Sequence, residues 1–86
     1  MPSIPEITVD ATTGGTIAIA SSNIRQEVLI RCRGARVYVG FNEAAQLNRG
    51  IWVNSGDGIV IAKPLCQSDI YFVAASTAYI GAEIVY

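Results

Sequence analysis

The stretch QEVLIRCR, residues 26–33, decides how the chain is read. Val28, Ile30 and Cys32 alternate with Glu27, Leu29, Arg31 and Arg33, a period of two. A strand turns successive side chains to opposite faces, whereas a helix would bring apolar residues together three and four positions apart. The segment therefore reads as a strand with one core face and one face that meets water or another protein. The same period continues on both sides. Upstream, Gly14-Gly15 signals a turn before TIAIA (16–20), and IPEITV (4–9) is a first extended piece. Pro2 and Pro5 mark that piece as an arm or an edge strand, because proline has no N–H to give to a ladder. Downstream, RVYVGF (36–41) sets Val37, Val39 and Phe41 together, and residues 51–53, 58–63, 70–75 and 79–86 complete the set. Seven to eight short strands between regular turn signals predict an all-β fold. It is expected as a small antiparallel β-sandwich or barrel, one β domain over residues 1–86, with an extended N-terminal arm over residues 1–10. FNEAAQLNRG (41–50) reads either as a short helical turn capped by Asn42 or as a loop.

Composition raises a question about surface. The 86 residues are 51% hydrophobic and only 15% charged, where about 25% charged is usual for a globular domain. The shortage is sharpest in DIYFVAASTAYIGAEIVY (69–86), which holds one Asp, one Glu and no base. Read as a hairpin turning at Ser76-Thr77, this stretch is apolar on both faces. Ile70, Phe72 and Ala74 oppose Tyr71, Val73 and Ala75; Ile80, Ala82, Ile84 and Tyr86 oppose Tyr79, Gly81, Glu83 and Val85. A two-layer sandwich needs one apolar face per sheet. The second face is expected to be covered by another subunit, the alternative being loops of the same chain. Net charge is −1, so nothing steers the chain to nucleic acid. No apolar run approaches the length of a membrane helix, and MPSIPEITVD has neither the charged nor the apolar region of a signal peptide.

Chemistry-bearing constellations are sparse. Without histidine the commonest general base and metal ligand is missing. Glu6, Asp10, Glu27, Glu43, Asp57, Asp69 and Glu83 are scattered, and no serine sits in a recognisable nucleophile pattern. The chain is expected to be no enzyme and to carry no metal or cofactor. NSGDG (54–58) reads as a turn, its Asn, Gly and Asp supplying positive φ and side-chain turn bonds. Cys32 and Cys66 read as buried thiols, with a disulfide as the alternative.

The bases gather at Arg25, Arg31, Arg33, Arg36 and Arg49, with Lys63 the one beyond them. Arginine suits protein interfaces because its planar fork holds carboxylates and carbonyls. QEVLIRCR interleaves no aromatic with its bases, which disfavours a single-strand nucleic-acid groove. Arg31 and Arg33 are therefore candidate interface residues, together with Tyr79, Val85 and Tyr86 of the last strand. Trp52 is a further candidate, as an interface anchor or as a platform on which a sugar ring stacks.

NRGIWVNSGDGIVI, then DIYFVAAS and YIGAEIVY, resembles a layout in small structural proteins of tailed bacteriophages. Gly50, Ile51, Val53, Gly56 and Asp57 match its first part, and Tyr71, Ala74 and Ala75 its second. The resemblance covers about the last 40 residues. It implies a virion component, foremost a capsid decoration (cement) protein on the capsid surface. Such a protein would partner itself, as a homo-trimer or homo-dimer, and a major capsid protein. The alternatives are a neck, tail or fibre component, or a small carbohydrate-binding or adhesion module using Trp52.

Overall fold

A computed structural model describes residues 3–86. Eight strands form where the period of two runs: β1 (Ser3–Val9), β2 (Ile17–Ile19), β3 (Glu27–Arg33), β4 (Val37–Phe41), β5 (Ile51–Val53), β6 (Gly58–Ala62), β7 (Ile70–Ala74) and β8 (Ala78–Val85). Among the described residues the one helical piece is a single 3₁₀ turn, Leu65–Gln67.

The strands build two four-stranded antiparallel sheets. Sheet A has the order β1-β8-β3-β6 and sheet B the order β2-β7-β4-β5. Only β4 and β5 are neighbours both along the chain and within a sheet. Every other connection crosses from one sheet to the other. This order is that of the eight-stranded jelly roll, a closed sandwich rather than a barrel. Phe72, Ile30, Ile70, Ile80, Val28 and Val37 fill the space between the sheets and are fully buried. Burying a side chain of this size stabilises the fold by about 1.5–3 kcal/mol.

One expectation is corrected, and two readings left open are decided. Residues 69–86 are not a hairpin: β7 lies in sheet B beside β2 and β4, and β8 lies in sheet A between β1 and β3. The Ser76-Thr77 turn carries the chain around a corner, so that Phe72 and Ile80, on different sheets, are buried in one core. Residues 3–9 are an edge strand of the same chain, paired with β8 from Ser3↔Glu83 to Val9↔Ala78. Its register shifts between Ile4 and Ile7, around Pro5, which cannot complete a regular ladder. Residues 1 and 2 of the expected arm lie outside the described residues. Finally, 41–50 holds no helical turn and runs as a loop after β4.

The cysteines are free and buried. The Cys32 thiol donates to the Ala35 carbonyl at 3.0 Å, and the Cys66 thiol to the Arg25 carbonyl at 3.7 Å. Arg25 precedes β3 and Cys32 is its next-to-last residue, so the thiols sit at opposite ends of the strand and the disulfide alternative is excluded. Burial raises the Cys32 thiol pKa above its ordinary value.

Candidate functional site

Each sheet has an outward face, and the chain treats the two differently. On sheet B the loop after β4 folds back as a roof. Asn42 starts it with φ 59° and donates its N–H to the Asp69 carbonyl at 2.8 Å. The Ala45 N–H then reaches the Gly14 carbonyl at 2.8 Å. Asn48, at φ 63°, turns the loop and accepts the Tyr38 hydroxyl at 3.1 Å. Ala45 packs on Tyr38 and Val73, with Tyr71 beside them, in a second small apolar cluster. Two glycines allow this contact. A Cβ on Gly40 would lie 2.6 Å from the Glu43 carbonyl oxygen, and one on Gly14 would overlap the Ala45 carbonyl. The apolar outer face of β7, expected against another subunit, is thus covered by the protein's own loop.

Sheet A has no such roof. Its outward residues are read from the register. Leu29 stands between Glu83 and Val60, and Arg31 between Gly81 and Gly58. Arg33 pairs with Tyr79, and Glu27 with Val85 and Ala62. Val60 is 58% exposed, and Leu29, Tyr79 and Val85 are half-buried. Glycines on both sides of Arg31 leave a trough of about 800 Å³ along this face. The Arg33 guanidinium lies 4.5 Å from the Tyr79 ring centroid and reaches the Glu6 carboxylate at 3.0 Å. Among the described residues that is the single ion pair, and it leaves Arg31 without a carboxylate partner.

Of the six candidates, the fold brings Arg31, Arg33, Tyr79 and Val85 onto this one face. Tyr86 follows β8 at its end and is 60% exposed. Trp52 is elsewhere: it pairs with Tyr38 on the outward side of sheet B and is 53% exposed. Arg36 stacks 5.7 Å from its ring centroid, held there by a bond from Nε to Asn54 Oδ1 at 2.8 Å. The NSGDG turn forms as expected, with Gly56 at φ 88° and the Asp57 N–H donating to the Asn54 carbonyl at 3.0 Å.

Arg25 departs from the basic group. It is 4% exposed, and its Nε and Nη2 donate to the carbonyls of Cys66 (2.8 Å) and Ser68 (3.1 Å). Gln67 Nε2 answers by donating to the carbonyls of Asn23 and Arg25. The segments 21–25 and 65–69 are stitched into one rigid end of the sandwich, with Ile24 and Leu65 exposed on it. Nothing in the sequence pattern separates this arginine from the exposed ones; only the crossing between sheets creates its carbonyl cage. Val60, Gly58, Gly81 and Glu83 were equally invisible as site residues, because their rows come from strands far apart in the chain. Among the described residues no cluster of three or more metal-ligating side chains occurs.

Comparison with protein-family models, with curated proteins and with solved structures finds no match to this chain.

Proposed function

We propose that this chain is a structural protein of a virus particle, a capsid decoration protein that works by adding buried contact between neighbouring subunits. The observation that carries this reading is the unroofed outer face of sheet A. It presents Leu29, Val60, Tyr79 and Val85 with Arg31 unpaired among the described residues, in a chain whose loop covers the outer side of β4 and β7 in the other sheet. An apolar face rimmed by charge marks a site of association. The rigid end bearing Ile24 and Leu65, with Tyr86 beside it, is a second contact region suited to a capsid protein. The resemblance at Gly50, Gly56 and Asp57 supports the same reading, as does the jelly roll, an architecture used by capsid domains. The fold's share of that support is analogy, since one fold hosts many functions.

Size fractionation of the native source, with mass spectrometry for this chain, tests it. Recovery in a megadalton particle at hundreds of copies is the expected result. A few copies per particle would move the protein to the neck, tail or fibres. Recovery only as a small free species would overturn the structural reading.

A second reading is favoured by one observation, the exposure of Trp52. A lone Trp in a small sandwich is commonly a core anchor, and here it is not. Its ring, backed by Arg36, suits stacking on a sugar, and lectin domains also use the jelly roll. Under that reading the protein binds an immobilised glycan and Trp52→Ala abolishes the signal. A glycan array without signal removes it.

A further inference from the structure

We propose that the outer face of sheet A is the seam of a two-fold dimer, packed against the same face of a second copy of this chain. The inference rests on the structural reading above for its premise that the face is an interface, and it names the partner.

Register sets the outward side chains of β8, β3 and β6 in rows. Val85, Glu27 and Ala62 form the first row, and Glu83, Leu29 and Val60 the second. Gly81, Arg31 and Gly58 form the third, and Tyr79 and Arg33 the fourth. On these three strands the carboxylates lie in the first two rows and the guanidiniums in the last two, where Glu6 of β1 pairs with Arg33 and leaves Arg31 unpaired among the described residues. Charge therefore changes sign along the strands. Size changes as well: the second row has side chains where the third has glycines, on both sides of Arg31.

Two identical sheets can pack face to face about a two-fold axis lying in the interface. An axis parallel to the strands and over β3 sets each row on its own copy and exchanges β8 with β6, Glu27 against Glu27 and Arg31 against Arg31. Like charges brought together in this way disfavour the pair. An axis across the strands keeps each strand over its own copy and reverses the rows. The second row then meets the third. Glu83 enters the notch at Gly81 of the partner subunit, beside Arg31 of the partner subunit. Val60 lies over Gly58 of the partner subunit, and Leu29 lies along the partner's Arg31 stem. The first row meets the fourth, placing Glu27 by the partner's Arg33 and Val85 against the partner's Tyr79.

The notch at Gly81 is real space: a Cβ built there meets no atom within 4 Å, whereas one on Gly58 would lie 2.8 Å from the Ile30 carbonyl oxygen, and the trough along this face holds about 800 Å³. Arg31, which has no carboxylate partner among the described residues, gains one across the axis.

Analytical ultracentrifugation of the full chain, with circular dichroism to check folding, tests the seam. The wild-type chain is expected to be a dimer that dissociates on dilution and more readily in high salt. Glu83→Arg and Arg31→Glu should each raise the dissociation constant about 100-fold. The double variant should return to within about tenfold of wild type, because it exchanges the charges without removing the pairs. Should a swapped variant lose its fold, Val60→Lys reads the same contact, and its dissociation constant should rise at least about tenfold. A monomeric or trimeric wild type, single variants with unchanged affinity, or a double variant no better than the singles would each overturn the seam. A chain monomeric in solution yet recovered in particles refutes the dimer alone; a dimer never found in particles refutes the virion reading alone.

Discussion

Gly40 and Gly81 hold matching places in the two sheets. Each points outward from an inner strand, β4 in sheet B and β8 in sheet A. Around Gly40 the backbone of the roof closes in, with the Ala45 nitrogen 3.0 Å from where a Cβ would stand. Around Gly81 there is open space. The first glycine is explained by what its own chain does. The second is left without an explanation inside the monomer, since a β-branched residue would suit a strand there better. The difference separates two uses of one residue type, close backbone approach within the fold and a notch for something outside it.

The sharpest way to break the comparison is at Gly40. Gly40→Val pushes a branched side chain into the carbonyl of Glu43 and the backbone of Ala45. The roof must lift, which loses the Ala45–Gly14 and Tyr38–Asn48 hydrogen bonds and uncovers Val73. Overpacking of this kind costs about 2–3 kcal/mol. Urea denaturation should show the midpoint falling by the corresponding amount. Unchanged stability would mean that the loop after β4 does not hold the outer face of sheet B.

How far the sequence reveals this arrangement follows from the range of each signal. A period of two is local, so all eight strands can be read from it, and so can the outward placing of Arg31, Arg33, Tyr79 and Val85. Strand order is not local. Ser76-Thr77 is as good a turn for a hairpin as for a corner between sheets, and residues 69–86 are apolar on both faces under either path. What settles the path is burial of Phe72 and Ile80 in one core between the two sheets, an arrangement that no alternation encodes. The roof is hidden for a related reason. Residues 41–50 mix Asn, Ala and Gln without a period, and their purpose is visible only once Gly14 and Val73 are beneath them. Arg25 is the extreme case: its carbonyl partners are more than forty positions away in the chain.

The smallest expected effect on stability lies at Gly81, and it sharpens the comparison most. Gly81→Val adds a side chain where the monomer has nothing to collide with. Replacing glycine in a strand also restricts the unfolded chain, which favours folding. Unfolding measured at protein concentrations low enough to keep the chain monomeric should therefore shift by no more than about 0.5 kcal/mol, in the stabilising direction. The same variant fills the notch into which Glu83 of the second copy would descend, so its dimer should weaken at least about tenfold while its fold is untouched. A monomer destabilised as much as by Gly40→Val would make Gly81 a structural glycine like its counterpart. A variant that keeps full stability and full dimer affinity would leave the trough unused, and with it the idea that sheet A is left unroofed in order to be shared.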